Sequence, residues 1–142
     1  MAPMLVRPDN YEKLRRWLKH MLAHTMPEVE AGSEVDPVQV LDGFAKKAPA
    51  KARVGLALAV GDTVEMTNDW ASARVALVDR ELREAELPTL SEVRVTFSKA
   101  VSRVLRRGSI RNEAEYFLVR SAAEIPGELR STLLALTEAY EA

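Results

Sequence analysis

Two histidines, His20 and His24, lie four residues apart in a segment with helical periodicity. That spacing places both imidazoles on one face of a helix, where they can hold a metal ion together. A third ligand is missing from the same row, because Glu28 would continue it but Pro27 intervenes. The H-E-x-x-H pattern of zinc hydrolases is absent as well. We interpret the pair as half-buried residues beside an apolar stripe, keep a metal site as the less favoured hypothesis, and expect no cofactor.

Acid–base chemistry would need two carboxylates that converge in a cleft and differ in environment. Glu65 and Asp69, close in sequence to Met66 and Trp70, are the candidates with the most apolar neighbours. However, Asp69 also suits a helix N-cap and Glu65 a solvated helix position. Nucleophile elbows and phosphate-binding glycine loops are absent from the sequence. We predict no catalytic residue, and a small enzyme with an unrecognised carboxylate site stays an alternative.

A basic segment is the clearest charge feature, since residues 94–111 hold six Lys or Arg residues and no acidic one. On a helix most of them fall within an arc of about 100°, opposite an apolar face. Arginines near a helix C-terminus also complement the helix dipole, so a merely solvated face is the competing interpretation. We predict an interaction surface formed by Lys99, Arg103, Arg106, Arg107 and Arg111.

An acidic segment has the opposite composition, because residues 20–45 hold five carboxylates and no Lys or Arg. Complementary charged patches steer and orient protein association. The sequence therefore favours a non-catalytic protein-interaction module that binds other proteins, including a second copy of itself as a homodimer. Trp17, Trp70 and Tyr116 are aromatic candidates for such an interface, with core packing as the competing role.

DNA binding is the alternative function for the basic helix of residues 94–111. Residues 101–105, Val-Ser-Arg-Val-Leu, resemble the start of the recognition helix in the Lac repressor family, and residues 89–93, Thr-Leu-Ser-Glu-Val, resemble its first helix. The resemblance implies phosphate contacts by Arg103, Arg106, Arg107 and Arg111. The connecting residues 94–99 contain no Gly and predict a continuous helix, so we do not assign the family.

Composition limits which other classes of protein the chain can belong to. The chain has 142 residues, 20 Lys plus Arg, 21 Asp plus Glu, a net charge of -1 and no cysteine. The absence of Cys excludes disulfides, thiolate zinc sites, iron–sulfur ligation and thiol catalysis. The longest apolar or small-residue run, residues 54–61, is far shorter than the ~20 residues that span a bilayer. With no signal-peptide pattern at the N-terminus, we expect a cytoplasmic protein without a membrane partner.

Helical start and stop signals divide most of the chain. Asp36-Pro37, the Thr89–Glu92 capping box, Gly108 and Asn112 mark helix ends. We predict helices over about 10–25, 37–49, 68–86, 89–107, 112–122 and 127–140.

Residues 54–66 are ambiguous. Alternating Val54, Leu56, Leu58 and Val60 followed by Gly61-Asp62 would suit a hairpin. The intervening alanines are helix formers, so a helix with Gly61 as a close-approach point is favoured. We predict an all-α single domain over 1–142, a bundle or orthogonal array of six to seven helices with an extended segment at 1–8. An α+β fold is the alternative if 54–66 forms a hairpin.

Overall fold

The structure, a computed structural model, describes residues 6–142, and every regular element in that range is an α-helix. The eight helices are α1 (Tyr11–Thr25), α2 (Pro37–Lys47), α3 (Pro49–Met66), α4 (Ser72–Glu84), α5 (Leu90–Thr96), α6 (Lys99–Arg107), α7 (Glu113–Ala123) and α8 (Arg130–Glu141). The all-α prediction is therefore confirmed, with slightly more helices than expected. Of the segment predicted to be extended, residues 1–5 lie outside the described residues, and residues 6–8 precede α1 without helical structure.

The described chain forms two compact units, residues 6–90 and residues 91–142. Helix α5 begins at the last residue of the first unit and continues into the second. The single-domain organisation stays a prediction. Within residues 6–142, no helix combines the length and the apolar character that crossing a bilayer requires.

Helices α1, α2 and α3 pack against one another in the first unit. The apolar stripe predicted for α1 is buried at Leu14, Trp17, Leu18 and Met21. The prediction that Asp36 caps α2 is also confirmed, because its carboxylate accepts a hydrogen bond of 2.9 Å from the backbone N–H of Val38. These two features follow directly from local sequence patterns.

Helix α2 differs from the prediction at one aromatic residue. The helical spacing of Val38, Leu41, Phe44 and Ala45 predicts a common inner face. Val38 and Leu41 are buried, but Phe44 is 51% exposed. At about 100° per residue, Phe44 lies about 120° from Val38 around the helix axis. The inner face of α2 is therefore narrower than the apolar pattern indicated.

Residues 54–66 are helical as part of α3, and no hairpin forms there. Leu56 and Val60, four residues apart, are fully buried, whereas Val54 and Leu58 are 60% and 66% exposed. Burial every fourth residue is typical of a helix, while a strand would place these four residues on one face. The α+β alternative is thereby excluded for the described chain.

Helix α3 approaches α2 closely at Gly55, and not at Gly61 as the sequence predicted. A Cβ atom at Gly55 would lie 3.1 Å from Cδ2 of Leu41 on α2, whereas one at Gly61 would meet nothing within 4 Å. The small residue at Gly55 thus lets α2 pack closely on α3. Gly61 has no packing role, because a methyl group would fit there.

We expect Gly61→Ala to stabilise the protein. Alanine is better than glycine inside a helix by about 0.5–1 kcal/mol, and the added methyl group meets no neighbour. Thermal unfolding followed by circular dichroism should show a midpoint raised by about 2–4 °C. Gly55→Ala is the comparison, because there the gain in propensity is opposed by the contact with Leu41. A Gly61→Ala variant that melts below the wild type would contradict the assigned helix.

A bidentate ion pair joins α1 to α2. Nε and NH2 of Arg15 each donate a hydrogen bond of 2.7 Å to the carboxylate of Asp42. This hydrogen bonding lowers the pKa of Asp42 below its usual value and raises that of Arg15. The arrangement belongs to the strong class of charge-assisted bonds, although both side chains are partly exposed.

We expect Asp42→Asn to cost about 1 kcal/mol at pH 7, a value reduced for solvent screening. A carboxylate whose pKa is lowered by folding stabilises the native state above its unfolded pKa of about 4. That contribution is lost as the pH falls through the folded pKa, so the difference between variant and wild type should shrink below about pH 4. Urea denaturation at several pH values measures this difference in the free energy of unfolding. Glu12→Gln is the control, because Glu12 is 69% exposed and contacts Arg15 at 3.4 Å; an equal loss there would contradict the role of Asp42.

Helix α4 begins later than the sequence indicated. The predicted start at Asn68 or Asp69 is wrong, because these residues lie in a turn after α3 and the helix starts at Ser72. The sequence pattern predicts that Ala71, Val75, Val78 and Leu82 face inward. Val78 and Leu82 are buried, whereas Ala71 is exposed.

The second unit has its own apolar core, built from α6, α7 and α8. Its buried members are Val101, Val104, Ile110, Val119, Ala122, Ala123 and Leu133. Gly108 adopts the left-handed conformation after α6, with a φ of 80°. Asn112 caps α7 by accepting a hydrogen bond of 2.9 Å from the N–H of Glu115. Both helix ends confirm the sequence prediction.

The prediction of one helix over residues 89–107 is wrong. The chain leaves the helix after Thr96, and Ser98 starts α6 by accepting a hydrogen bond of 3.2 Å from the N–H of Val101. A serine side chain that bonds the backbone in this way favours a helix start over a helix interior. The basic segment is consequently divided among α5, which carries Arg94, α6, and the connection to α7, which carries Arg111.

Candidate functional site

Four of the five residues of the predicted basic surface lie on α6, and Arg111 lies between α6 and α7. Val101 and Val104 are 2% and 1% exposed and anchor one side of this helix in the core. Lys99, Arg103 and Arg106 are exposed on the other side, and none of them forms an ion pair with another residue in the described range. These three cations form what we call the α6 basic face.

The structure places two other predicted interaction residues differently. Arg107 donates a hydrogen bond of 2.7 Å from NH2 to the carboxylate of Glu115 on α7. Arg111 donates its backbone N–H to the same carboxylate at 3.0 Å, and its Nε lies 3.9 Å from it. Glu115 therefore neutralises part of the predicted surface, and Arg107 connects α6 to α7.

The acidic segment is also reduced by internal contacts. Asp36 is buried and accepts hydrogen bonds from the N–H groups of Val38 and Gly32. Asp42 is held by Arg15. The acidic residues that remain exposed are Glu28, Glu30 and Glu34, in the loop before α2.

The three aromatic candidates have different environments. Trp17 is fully buried, so its role is core packing. Trp70 is half-buried, and the guanidinium of Arg74 lies 3.9 Å from its ring centroid in a cation–π contact. Tyr116 is half-buried next to Tyr140, with ring centroids 5.2 Å apart. Its hydroxyl donates a hydrogen bond to Glu141, which raises the pKa of Tyr116.

A cluster of three side chains joins α1 to α4. Nε2 of His20 lies 3.2 Å from Oε1 of Glu81, and Nε2 of His24 lies 2.9 Å from the same oxygen. The histidine side chains are each 28% exposed and the glutamate 36%, so the prediction of half-buried histidines is confirmed. The hydrogen bonds to His24 and His20 lower the pKa of Glu81.

Sequence reasoning missed Glu81. It lies on α4, 57 residues beyond His24, whereas the row of residues on α1 continues toward Glu28. Its position in α4, next to the buried Leu82, marks it only as a residue at the edge of a buried face. No local pattern in the sequence connects it to the two histidines.

A concavity of about 560 Å³ open to solvent adjoins His24. It is lined by His24, Thr25, Met66, Asp69, Trp70, Ala71 and Arg74. Of the two carboxylates considered for acid–base chemistry, Asp69 lines it and is exposed, whereas the exposed Glu65 is not among its lining residues. The concavity thus presents one carboxylate, one imidazole and one guanidinium next to an indole.

Comparison of the chain with models of known protein families, with curated proteins and with solved structures gives no match in any of the three. The α6 basic face and the cluster on α1 and α4 are therefore the features from which a function can be inferred.

Proposed function

We propose that the chain is a non-catalytic interaction module whose α6 basic face binds an acidic protein surface, including that of a second copy. The observation that carries the proposal is the contrast among the predicted cations. Arg107 and Arg111 contact Glu115, whereas Lys99, Arg103 and Arg106 project from a helix whose opposite side is anchored in the core. A rigid helix holds these charges at fixed spacing, which favours a specific partner over a diffuse one.

The exposed glutamates before α2 provide an acidic surface through which two copies could associate. Glu28, Glu30 and Glu34 carry no ion pair within residues 6–142, so they can meet the α6 basic face of another copy. Opposite charges on one chain, presented by different elements, support head-to-tail or two-fold association. We also propose a cytoplasmic location.

DNA binding is a second candidate, and one observation favours it. The helix is interrupted between Thr96 and Lys99, so the segments that resemble the Lac repressor family lie on two separate helices. The connection is two residues long and contains no Gly, so it departs from the turn of three or four residues that a helix-turn-helix uses. If the chain binds DNA, the α6 basic face would contact its phosphates.

We expect the double variant Arg103→Glu, Arg106→Glu to weaken self-association at least about tenfold, because charge reversal turns attraction into repulsion. Sedimentation equilibrium at low and high salt measures the association constant. The matched control is Arg80→Glu, Arg83→Glu, since both arginines are exposed on α4 with the same spacing of three residues. An equal loss in both variants would indicate a general charge effect and not a defined face.

Anisotropy with a labelled oligoglutamate peptide and with duplex DNA distinguishes the candidates. Peptide binding that requires Arg103 and Arg106 supports the protein partner, and a wild type that stays monomeric removes the homodimer from the proposal. Tighter binding to DNA with a steep salt dependence would replace the first candidate by the second. Failure to bind either probe and to self-associate would overturn both.

A further inference from the structure

Two helices bring three metal-ligating atoms together. His20 and His24 project from successive turns of α1, and Glu81 reaches them from α4. One ligand atom from each residue lies within 4.8 Å of the other two. The set consists of two imidazole nitrogens and one carboxylate oxygen, which is a ligand combination that zinc uses in proteins.

The distances suit a tetrahedral ion. Zinc bonds to imidazole nitrogen and carboxylate oxygen of about 2.0–2.1 Å place neighbouring ligand atoms about 3.3 Å apart. The separations from Oε1 of Glu81 are 2.9 Å to His24 and 3.2 Å to His20. These two separations would change by only a few tenths of an ångström on binding, and the nitrogens of the two histidines lie within 4.8 Å of each other. A bound ion would replace the present hydrogen bonds.

The surroundings of His24 hold its ring before any ion binds. The rings of His24 and Trp70 meet in a T-shaped arrangement, with centroids 6.2 Å apart at 71°, and the ring of His20 is 5.6 Å away. Arg74, which stacks on Trp70, donates a hydrogen bond of 3.4 Å to the backbone carbonyl of His24. Ligands oriented in advance lose less entropy on binding.

Partial exposure supplies both an entry path and open coordination positions. All three side chains keep between 28% and 36% of their surface accessible. Three protein ligands leave at least one position of a tetrahedral ion for water. The imidazole pair selects borderline transition metals over Mg²⁺ and Ca²⁺, which prefer sets made of oxygen ligands alone.

We propose that His20, His24 and Glu81 form a site for a divalent transition-metal ion of the zinc class that ties α1 to α4. This inference goes beyond the proposed function, because it involves neither α6 nor its partners. The chain contains only these two histidines and no cysteine, so zinc bound through imidazole is assignable to this site alone.

Titration of the metal-free full chain with Zn²⁺ by calorimetry tests the site. We expect one ion per chain, a raised melting temperature in the presence of Zn²⁺, and no response to Mg²⁺. His24→Ala should weaken binding at least about 100-fold, since loss of a ligand exceeds the effect of losing an outer-shell partner. Glu84→Gln is the control, because it removes an exposed carboxylate from α4, the helix that carries Glu81.

Two further measurements keep the test decisive. Circular dichroism of His24→Ala establishes that the variant folds, and imidazole NMR signals of the wild type should both shift on addition of one equivalent of Zn²⁺. Visible bands of bound Co²⁺ should appear in the wild type and be absent in Glu81→Ala. If zinc leaves both imidazole signals unchanged, or if Glu84→Gln lowers the affinity as much as His24→Ala, the cluster is only a hydrogen-bonded link between helices.

Discussion

Leu56→Ala is expected to lower the free energy of unfolding by about 3 kcal/mol, whereas Leu58→Ala should change it by less than about 0.5 kcal/mol. Leu56 is fully buried where α3 packs on α1 and α2, so truncation leaves a cavity. Leu58 is 66% exposed on the same helix and leaves none. Urea denaturation followed by circular dichroism should show a lowered midpoint for Leu56→Ala with an unchanged slope.

The two variants are matched controls for each other, because they make the same chemical change two residues apart. In a helix these positions are separated by about 200° around the axis, so one is inside and the other outside. In a hairpin strand they would share a face and their losses would be similar. Equal losses would therefore contradict the helical assignment of residues 54–66.

The ambiguity of this segment has a physical origin. Val54, Leu56, Leu58 and Val60 alternate with alanines and glycine, which are small enough to lie on either face. Apolar periodicity consequently favoured neither a helix nor a strand. The helical neighbours and the alanines decided the prediction correctly, but the packing contact at Gly55 required knowledge of where α2 lies.

Local patterns predicted helix ends where a side chain bonds a nearby backbone N–H or where a glycine takes the left-handed conformation. Asp36 and Asn112 cap their helices, and Gly108 ends α6 in the left-handed conformation. The break at Ser98 uses the same chemistry, yet the apolar residues on both sides continue a helical period through it. A cap inside a continuous amphipathic pattern is easily taken for a helix interior.

The sequence shows where charged residues concentrate along the chain, but not which of them remain unpaired on the surface. The basic segment and the acidic segment both exist, and the structure uses parts of each for internal contacts. Arg107 contacts Glu115 and Arg15 contacts Asp42 across different helices, which no local spacing indicates. Glu81 joins the two histidines for the same long-range reason. What the sequence leaves open is which charges tertiary structure neutralises.

Leu133→Ala is expected to cost about 3 kcal/mol, in contrast to less than about 0.5 kcal/mol for Leu134→Ala. Leu133 is fully buried in the core of the second unit, while Leu134 is 42% exposed on the same helix. Both variants remove the same atoms and keep the helix propensity of α8 high. A large loss for Leu134→Ala would contradict the orientation of α8.

Calorimetry of Leu133→Ala also tests the predicted single domain. The second unit holds about 50 residues, a size at which a core without disulfides or metals is marginal. If that unit depends on the rest of the chain, Leu133→Ala and Leu56→Ala will each shift one common transition. Two transitions, each moved by only one of the variants, would show that residues 6–90 and 91–142 unfold separately. In that case the α6 basic face and the histidine cluster would belong to independent domains, and a metal ion at His20, His24 and Glu81 would stabilise only the first.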